Sequence, residues 1–160
     1  MNVLFLCTGN SARSIFAEAL LKARAADRVR AFSAGSQPEG RVHPLALEIL
    51  RTCNLPTAGL RSKSSGEFIT DDAPRMECII SVCDRAAAEP CPLWPGAPVL
   101  AHWSIPDPAA AAGTQREKLA AFAQCFTLLE KHINLLLNLP LEQLTTDELE
   151  AGLRFIPGNI

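Results

Sequence analysis

Cys7 and Arg13, with five residues between them, are the pair in this sequence best placed to do chemistry. They bracket the run Cys7-Thr8-Gly9-Asn10-Ser11-Ala12-Arg13-Ser14, which follows a strand-like apolar stretch and leads into an amphipathic one. A loop that joins a strand to a helix in this way collects backbone amides beside the helix N-terminus, and such a nest binds anions. Gly9 permits the tight turn. Arg13 adds a planar fork that can take two oxygens of a tetrahedral oxyanion at once. The same positive field is expected to lower the Cys7 pKa, since comparable surroundings bring thiols from ~8.5 to roughly 3.5–7.5. Cys7 is then a candidate nucleophile, and Thr8, Gly9, Asn10, Ser11, Ala12, Arg13 and Ser14 are candidate oxyanion-binding residues. In this reading Ser14 donates to the thiolate and the Asn10 amide braces the loop. The competing reading makes Cys7 one more buried thiol and Arg13 a surface charge. Placement between a strand and a helix favours the oxyanion site.

The elements that must hold this loop follow from hydrophobic patterning. Strand-like apolar runs cover residues 2–6, 29–34, 78–82 and 98–105. The first and third are almost continuously apolar, as expected of strands covered on both faces. Helical spacing fits Ile15, Phe16, Ala19, Leu20 and Ala23, then residues 43–53, then a long stretch over residues 114–138 that Pro140 stops. A capping box, Thr145-Thr146-Asp147-Glu148, announces a short last helix carrying Leu149 and Leu153. Strands alternating with helices predict an α/β fold built on a parallel sheet. Ligands of such sheets bind beyond the carboxyl ends of the strands, where Cys7 falls.

The 160 residues fit one domain, with residues 141–160 as a C-terminal extension of unassigned role. A net charge of −2 gives no footprint for nucleic acid, so attraction for an anion must be local. The chain opens without a basic, apolar leader, and no apolar run approaches the ~20 residues a membrane span needs, so a cytoplasmic location is expected. Six cysteines, at 7, 53, 78, 83, 91 and 125, show neither paired C-x-x-C nor histidine spacing, and no metal site is expected. His43 and His102 have no partner at ligand spacing and read as structural.

Two further places carry potential chemistry. Asp107, in the pair Asp107-Pro108, follows the fourth strand run and reaches the Cys7 edge; it reads either as a general acid or as a turn aspartate. Cys83 closes the third strand run, and Cys91 follows after Asp84-Arg85-Ala86-Ala87-Ala88-Glu89-Pro90. Two cysteines bracketing a polar segment suggest a redox pair. If the alanine-rich middle is helical it must unwind, because a disulfide needs Cα atoms within ~7 Å. Cys53, Cys78 and Cys125 read as core thiols.

The loop Cys7 to Ser14 resembles the signature loop of the low-molecular-weight protein tyrosine phosphatase superfamily. Phe32-Ser33-Ala34-Gly35-Ser36 and Asp107-Pro108 make it more similar to the thioredoxin-coupled arsenate reductase branch. The resemblance spans about residues 1–138 and implies a four-stranded parallel sheet flanked by helices in a three-layer α/β/α arrangement. It implies that Asp107 is the general acid, and that arsenate is the substrate, with phosphate or sulfate as analogues. It further implies that Cys83 and Cys91 resolve the Cys7 adduct, and that thioredoxin or a glutathione–glutaredoxin system supplies electrons with no bound cofactor. Glu18 sits where some relatives hold the loop or a cation. The acid loop Ala109-Ala110-Ala111-Ala112 is small, and the chain has no tyrosine, which suits an inorganic anion better than a phosphotyrosine ring; Trp103 is the one aromatic nearby. The alternatives are a phosphatase using Cys7, Arg13 and Asp107 with the other cysteines idle, and a non-catalytic oxyanion-binding or redox-sensing module.

Overall fold

Four strands assemble as one parallel sheet in the order β2-β1-β3-β4: β1 is Asn2–Cys7, β2 Arg30–Gly35, β3 Cys78–Ser81 and β4 Val99–His102. The computed structural model describes residues 1–90 and 92–160, so Cys91 lies outside the described residues. Because β2 and β3 flank β1 on opposite sides, the strand order reverses beside β1, and the crevice at its carboxyl end is the ligand position of open α/β sheets. Cys7 ends β1 and Cys83 lies just past β3, so both stand at that crevice.

The helices are α1 (Arg13–Arg24), α2 (Pro44–Thr52), α3 (Asp84–Ala88), α4 (Gln115–Leu137) and α5 (Thr146–Phe155). One sheet face, carrying Val3, Phe5, Cys78 and Ile80, packs into the main core with Ile15 and Leu20 of α1, Phe122 and Leu129 of α4, and Leu149 and Leu153 of α5. The opposite face buries Leu4, Ala34 and Ile79 against Phe68 and Met76, with Trp94 partly covering the edge. Both faces of β1 are therefore sealed, as its unbroken apolar run requires.

Helix ends fall where their chemistry puts them. Thr114–Glu117 and Thr145–Glu148 form capping boxes at α4 and α5, so residues 114 and 138, read from spacing as the ends of the long helix, are its caps. The fourth strand is shorter than the run 98–105. Trp103 donates its backbone N–H to Ser81, where β3 ends, and beyond that point no neighbouring strand remains to pair with. Cys53 is not a core residue: it caps the C-terminus of α2 and is exposed, because α2 turns Leu45, Ala46, Ile49 and Leu50 inward instead. Among the described residues no helix is long and apolar enough to cross a membrane.

The segment past Pro140 is built into this core. Trp103 is fully buried, its indole N–H donating to the Leu153 carbonyl at 3.3 Å and its ring packed on Phe5 and His132. Leu149, Leu153 and Ile156 close over it. Each buried side chain of this size contributes ~1.5–3 kcal/mol, so truncation after Pro140 is expected to cost on the order of 5 kcal/mol. Urea unfolding followed by tryptophan emission should show a lower midpoint and a red-shifted native spectrum. An unchanged midpoint would mean that α5 adds nothing to the core.

Candidate active site

The loop after β1 is shaped by where its carbonyls go. Those of Cys7, Thr8, Gly9 and Ser11 accept hydrogen bonds from the backbone N–H groups of Ser36, Gln37, Glu39 and His43 at 2.9–3.3 Å. In a trans peptide the following N–H points the opposite way, so the amides of Thr8, Gly9, Asn10 and Ala12 turn into the loop. The Asn10 amide accordingly donates to the Cys7 sulfur at 3.1 Å. The cap of α1 is Ala12, which has no side-chain oxygen, so the first amides of that helix are left for an anion.

Gly9 is not the turn residue the sequence suggested. Asn10 takes the left-handed conformation, with φ 45°, and its side chain supports that shape. Its amide nitrogen donates to Ser14 at 2.8 Å and to Ser33 at 2.9 Å, and its carbonyl oxygen accepts from the Lys63 backbone at 2.8 Å. The glycine this geometry demands is Gly35, where a Cβ would stand 2.5 Å from the Thr8 carbonyl oxygen.

Cys7 is 3% exposed and lies 2.9 Å from the Ser14 hydroxyl, the partner foreseen for it. Its pKa is shifted the other way from expectation. Burial pushes the thiol up, and the hydrogen bonds from Ser14 and Asn10 offset this only in part, while nearby Cys83 adds to the rise. The sequence displays the helix and the arginine but not the desolvation, and desolvation dominates. Burial also pushes Cys78 and Cys125 up to about 12, which leaves them as inert core thiols.

Behind the loop lies a charged layer of which the sequence pattern shows only Glu18. Glu18 and Lys63, 2% and 8% exposed, form a buried ion pair at 3.4 Å. The Lys63 ammonium also donates to Ser33 at 3.3 Å and to the Arg61 carbonyl at 3.1 Å, and Ser33 donates to Glu18. Lys22 reaches the other Glu18 oxygen from the helix surface. Burial pulls the Lys63 pKa below its ordinary value, against the opposing pull of Glu18. Hydrogen bonds thus run from Lys63 and Glu18 through Ser33 and Asn10 to Ser14 and Cys7. Glu18 was foreseen as a brace, and the cation beside it is this lysine. Among the described residues no three His, Cys, Asp or Glu side chains gather as a metal site.

Arg13 and Asp107 meet across the mouth of the loop. The Arg13 guanidinium contacts the Asp107 carboxylate at 3.1 Å and donates to the Ile105 carbonyl at 3.1 Å. The other Asp107 oxygen accepts from the Ala109 amide at 3.1 Å and starts a 3-10 turn. Asp107 is therefore both a turn aspartate and a carboxylate at the site. Trp103, the aromatic nearest the acid loop in sequence, is turned into the core and flanks nothing at the mouth.

Cys83 is 2% exposed and shares this edge: its sulfur is 3.6 Å from the hydroxyl of Thr8, the residue after Cys7. It also caps α3, accepting the Ala86 amide at 3.4 Å. The alanine-rich segment after it is helical over Asp84–Ala88. His43, expected to be structural, caps α2 through its ring nitrogen and stacks on Phe122.

With this geometry in view, comparison with known proteins is specific. The family model described as low molecular weight phosphotyrosine protein phosphatase matches residues 2–149. An arsenate reductase of Bacillus licheniformis is 35% identical over 121 residues, covering 75% of this chain and 83% of that protein. The fold superposes with a TM-score of 0.69 on a solved arsenate reductase in the phosphate binding state, at 24% identity over 85% of this chain and 95% of that one, a likeness of fold. A thioredoxin-dependent arsenate reductase of Corynebacterium glutamicum superposes with a TM-score of 0.55 at 29% identity, covering 84% of this chain and 62% of that one.

Two measurements test this arrangement. Lys63→Met strips the buried Glu18 carboxylate of its interior partner, a change that costs ~3–5 kcal/mol in comparable buried pairs. Denaturant titration should show a loss of that order; a loss within experimental error would place Lys63 outside the network. Alkylation of Cys7 by iodoacetamide in anion-free protein, resolved by peptide mass spectrometry, should have its midpoint above that of a free thiol. The folded chain then holds the Cys7 proton more tightly than the unfolded chain, so stability declines as pH climbs past the thiol's ordinary value. A midpoint below that value would reinstate the lowered pKa.

Proposed function

The chain belongs to the low molecular weight phosphotyrosine protein phosphatase family, and on that basis we propose that it reduces arsenate to arsenite through a cysteine cascade. Arsenate enters the loop formed by Cys7 to Ser14 and is held by the inward amides and the Arg13 fork. An oxyanion that engages Arg13 takes it from Asp107, whose carboxylate is then free to take up the proton that Cys7 gives up and to pass it to the leaving oxygen. The Cys7 thiolate attacks arsenic, and a hydroxyl group leaves as water with that proton. The Cys83 thiolate then attacks the Cys7 sulfur. The sulfur–arsenic electron pair passes to arsenic, which leaves as arsenite, and a Cys7–Cys83 disulfide remains.

Cys91 attacks Cys83 in turn, releasing Cys7, and a Cys83–Cys91 disulfide awaits thioredoxin or glutathione with glutaredoxin. Each exchange transfers one sulfur–sulfur bond, so the two electrons consumed by arsenic come from the external thiols. Regeneration of this kind belongs in a reducing compartment, and the proposal assigns the protein to the cytoplasm. It treats residues 1–160 as one working domain that includes the extension over residues 141–160. The chemistry needs no bound cofactor.

The observation that carries this reading is the presence of Cys83 at the Cys7 edge, its sulfur 3.6 Å from the hydroxyl of Thr8, the residue that follows Cys7. A phosphatase reaction would use Cys7, Arg13 and Asp107 alone and would leave a second buried thiol at that position with no part in the chemistry beyond capping α3. The inward-turned Trp103 and the small acid loop favour a compact inorganic oxyanion over an aryl phosphate.

The deciding experiment measures arsenite formed from arsenate with thioredoxin, thioredoxin reductase and NADPH. Wild-type turnover should vanish in Cys7→Ser and in Cys83→Ser, stall after one turnover in Cys91→Ser, and slow ~10²–10⁴-fold in Asp107→Asn. Sustained aryl phosphate hydrolysis with no arsenite, even when glutaredoxin and glutathione are supplied, would make the chain a phosphatase. Anion binding without either turnover would make it a binding or sensing module.

A further inference from the structure

The helix that carries Cys83 is held by very little of its own. α3 spans five residues, and none of them is buried. A single turn of helix is far below the ~12–15 residues at which helices become even marginally stable alone. Its first amide bonds run back to Cys83 itself: Ala86 donates to the sulfur at 3.4 Å and Ala87 to the carbonyl at 3.1 Å. Reaction of that sulfur would therefore remove the helix's own cap.

What holds this turn in place comes from the neighbouring strand. Asp84, the residue next to Cys83, accepts hydrogen bonds from His102 Nε2 at 2.9 Å and from the Ser104 hydroxyl at 2.7 Å, through the same carboxylate oxygen. Among the described residues of α3, Asp84 is the one whose side chain bonds outside the helix. A carboxylate only accepts, so Nε2 carries a proton. Nδ1 faces the Ser81 hydroxyl at 2.8 Å and the Ser81 carbonyl at 3.1 Å, at the end of β3. The ring is thus fixed from both sides, between the ends of β3 and β4. Its neighbour Trp103 anchors β4 in the core. Arg13 adds to the field that keeps the Asp84 carboxyl below its usual range, after the contributions of Ser104 and His102.

Beside this contact lies a cavity of about 840 Å³, lined by Ala86, Ala87 and Pro90 together with Ser81, His102 and Ser104. The fold therefore leaves room for α3 to move, and the two side chains that hold Asp84, His102 and Ser104, border that room.

We propose that His102 is a positioning residue: through Asp84 it holds the first turn of α3, and so keeps the Cys83 sulfur beside Thr8 and the nucleophile. This rests on the reading of Cys83 as the thiol that resolves the Cys7 adduct. Without His102 the turn opens more often, and Cys83 spends less time in attacking position.

The test is first made on the reduced protein with neither arsenate nor thioredoxin present. In His102→Ala, hydrogen–deuterium exchange over residues 84–89 and labelling of Cys83 by a thiol reagent should rise roughly three- to tenfold, the range expected when such a hydrogen bond is lost. His102→Gln, whose amide can still donate to Asp84, should return both toward wild type. In the arsenate assay kcat should fall in His102→Ala while KM for arsenate holds, because the oxyanion loop is untouched. Unchanged exchange and unchanged Cys83 labelling in His102→Ala would overturn the proposal, as would failure of Gln to restore them. If both rise while Cys83→Ser still reduces arsenate, the clasp on α3 stands and the cascade fails.

Discussion

Everything at the site depends on the backbone hydrogen bonds that draw the carbonyls of the first loop outward. Four carbonyls are held by four amides of the segment after β2, and trans peptide geometry does the rest. Without those bonds the loop would satisfy its own polar groups, and its amides would be unavailable to an anion. The Asn10 conformation, the missing cap at Ala12 and the absence of a side chain at Gly35 all serve the same end. The cost is a non-glycine residue in the left-handed region, which is offset by three hydrogen bonds from the Asn10 side chain.

Cys7 is housed in opposing environments. Burial raises the Cys7 thiol, whereas the proposed attack needs the thiolate. The donors that would stabilise the charge, Ser14 and the Asn10 amide, are already aimed at the sulfur. Arg13 is meanwhile engaged with Asp107. The resting site thus keeps its positive and negative groups paired with one another, and an oxyanion has to displace a carboxylate to enter. Such a site is pre-formed in its backbone and re-paired in its side chains.

Much of this was legible in the sequence, and what was missed has physical reasons. The loop, its strand and its helix are contiguous, so Cys7, Asn10, Arg13 and Ser14 could be placed from local pattern alone. Apolar runs gave the four strands, hydrophobic spacing gave α4, and a capping box gave the start of α5. Lys63 escaped notice because it sits in the polar stretch Arg61-Ser62-Lys63-Ser64, which reads as surface, and its partner Glu18 lies 45 positions away. The direction of the Cys7 shift was misjudged because neighbouring charges can be read from sequence and burial cannot. Cys53 looked like core because it follows an apolar helix, yet a helix end faces outward once its stripe is spent. The roles of His102 and Trp103 were recoverable in principle: successive strand residues face opposite ways, so one of the pair had to leave the core.

The loop's dependence on main-chain donors has a consequence for how this chain can drift. The amides that hold the carbonyls belong to Ser36, Gln37, Glu39 and His43, and none of those bonds involves a side chain. Any residue with an N–H can supply such a bond, so the identities at 36, 37 and 39 are unconstrained by this role, and only imino acids are barred. The one proline in that stretch, Pro38, occupies a position from which no amide is asked for. The recognition surface is therefore robust to substitution along the strip that shapes it and fragile at a single chemical property, the presence of a hydrogen on nitrogen.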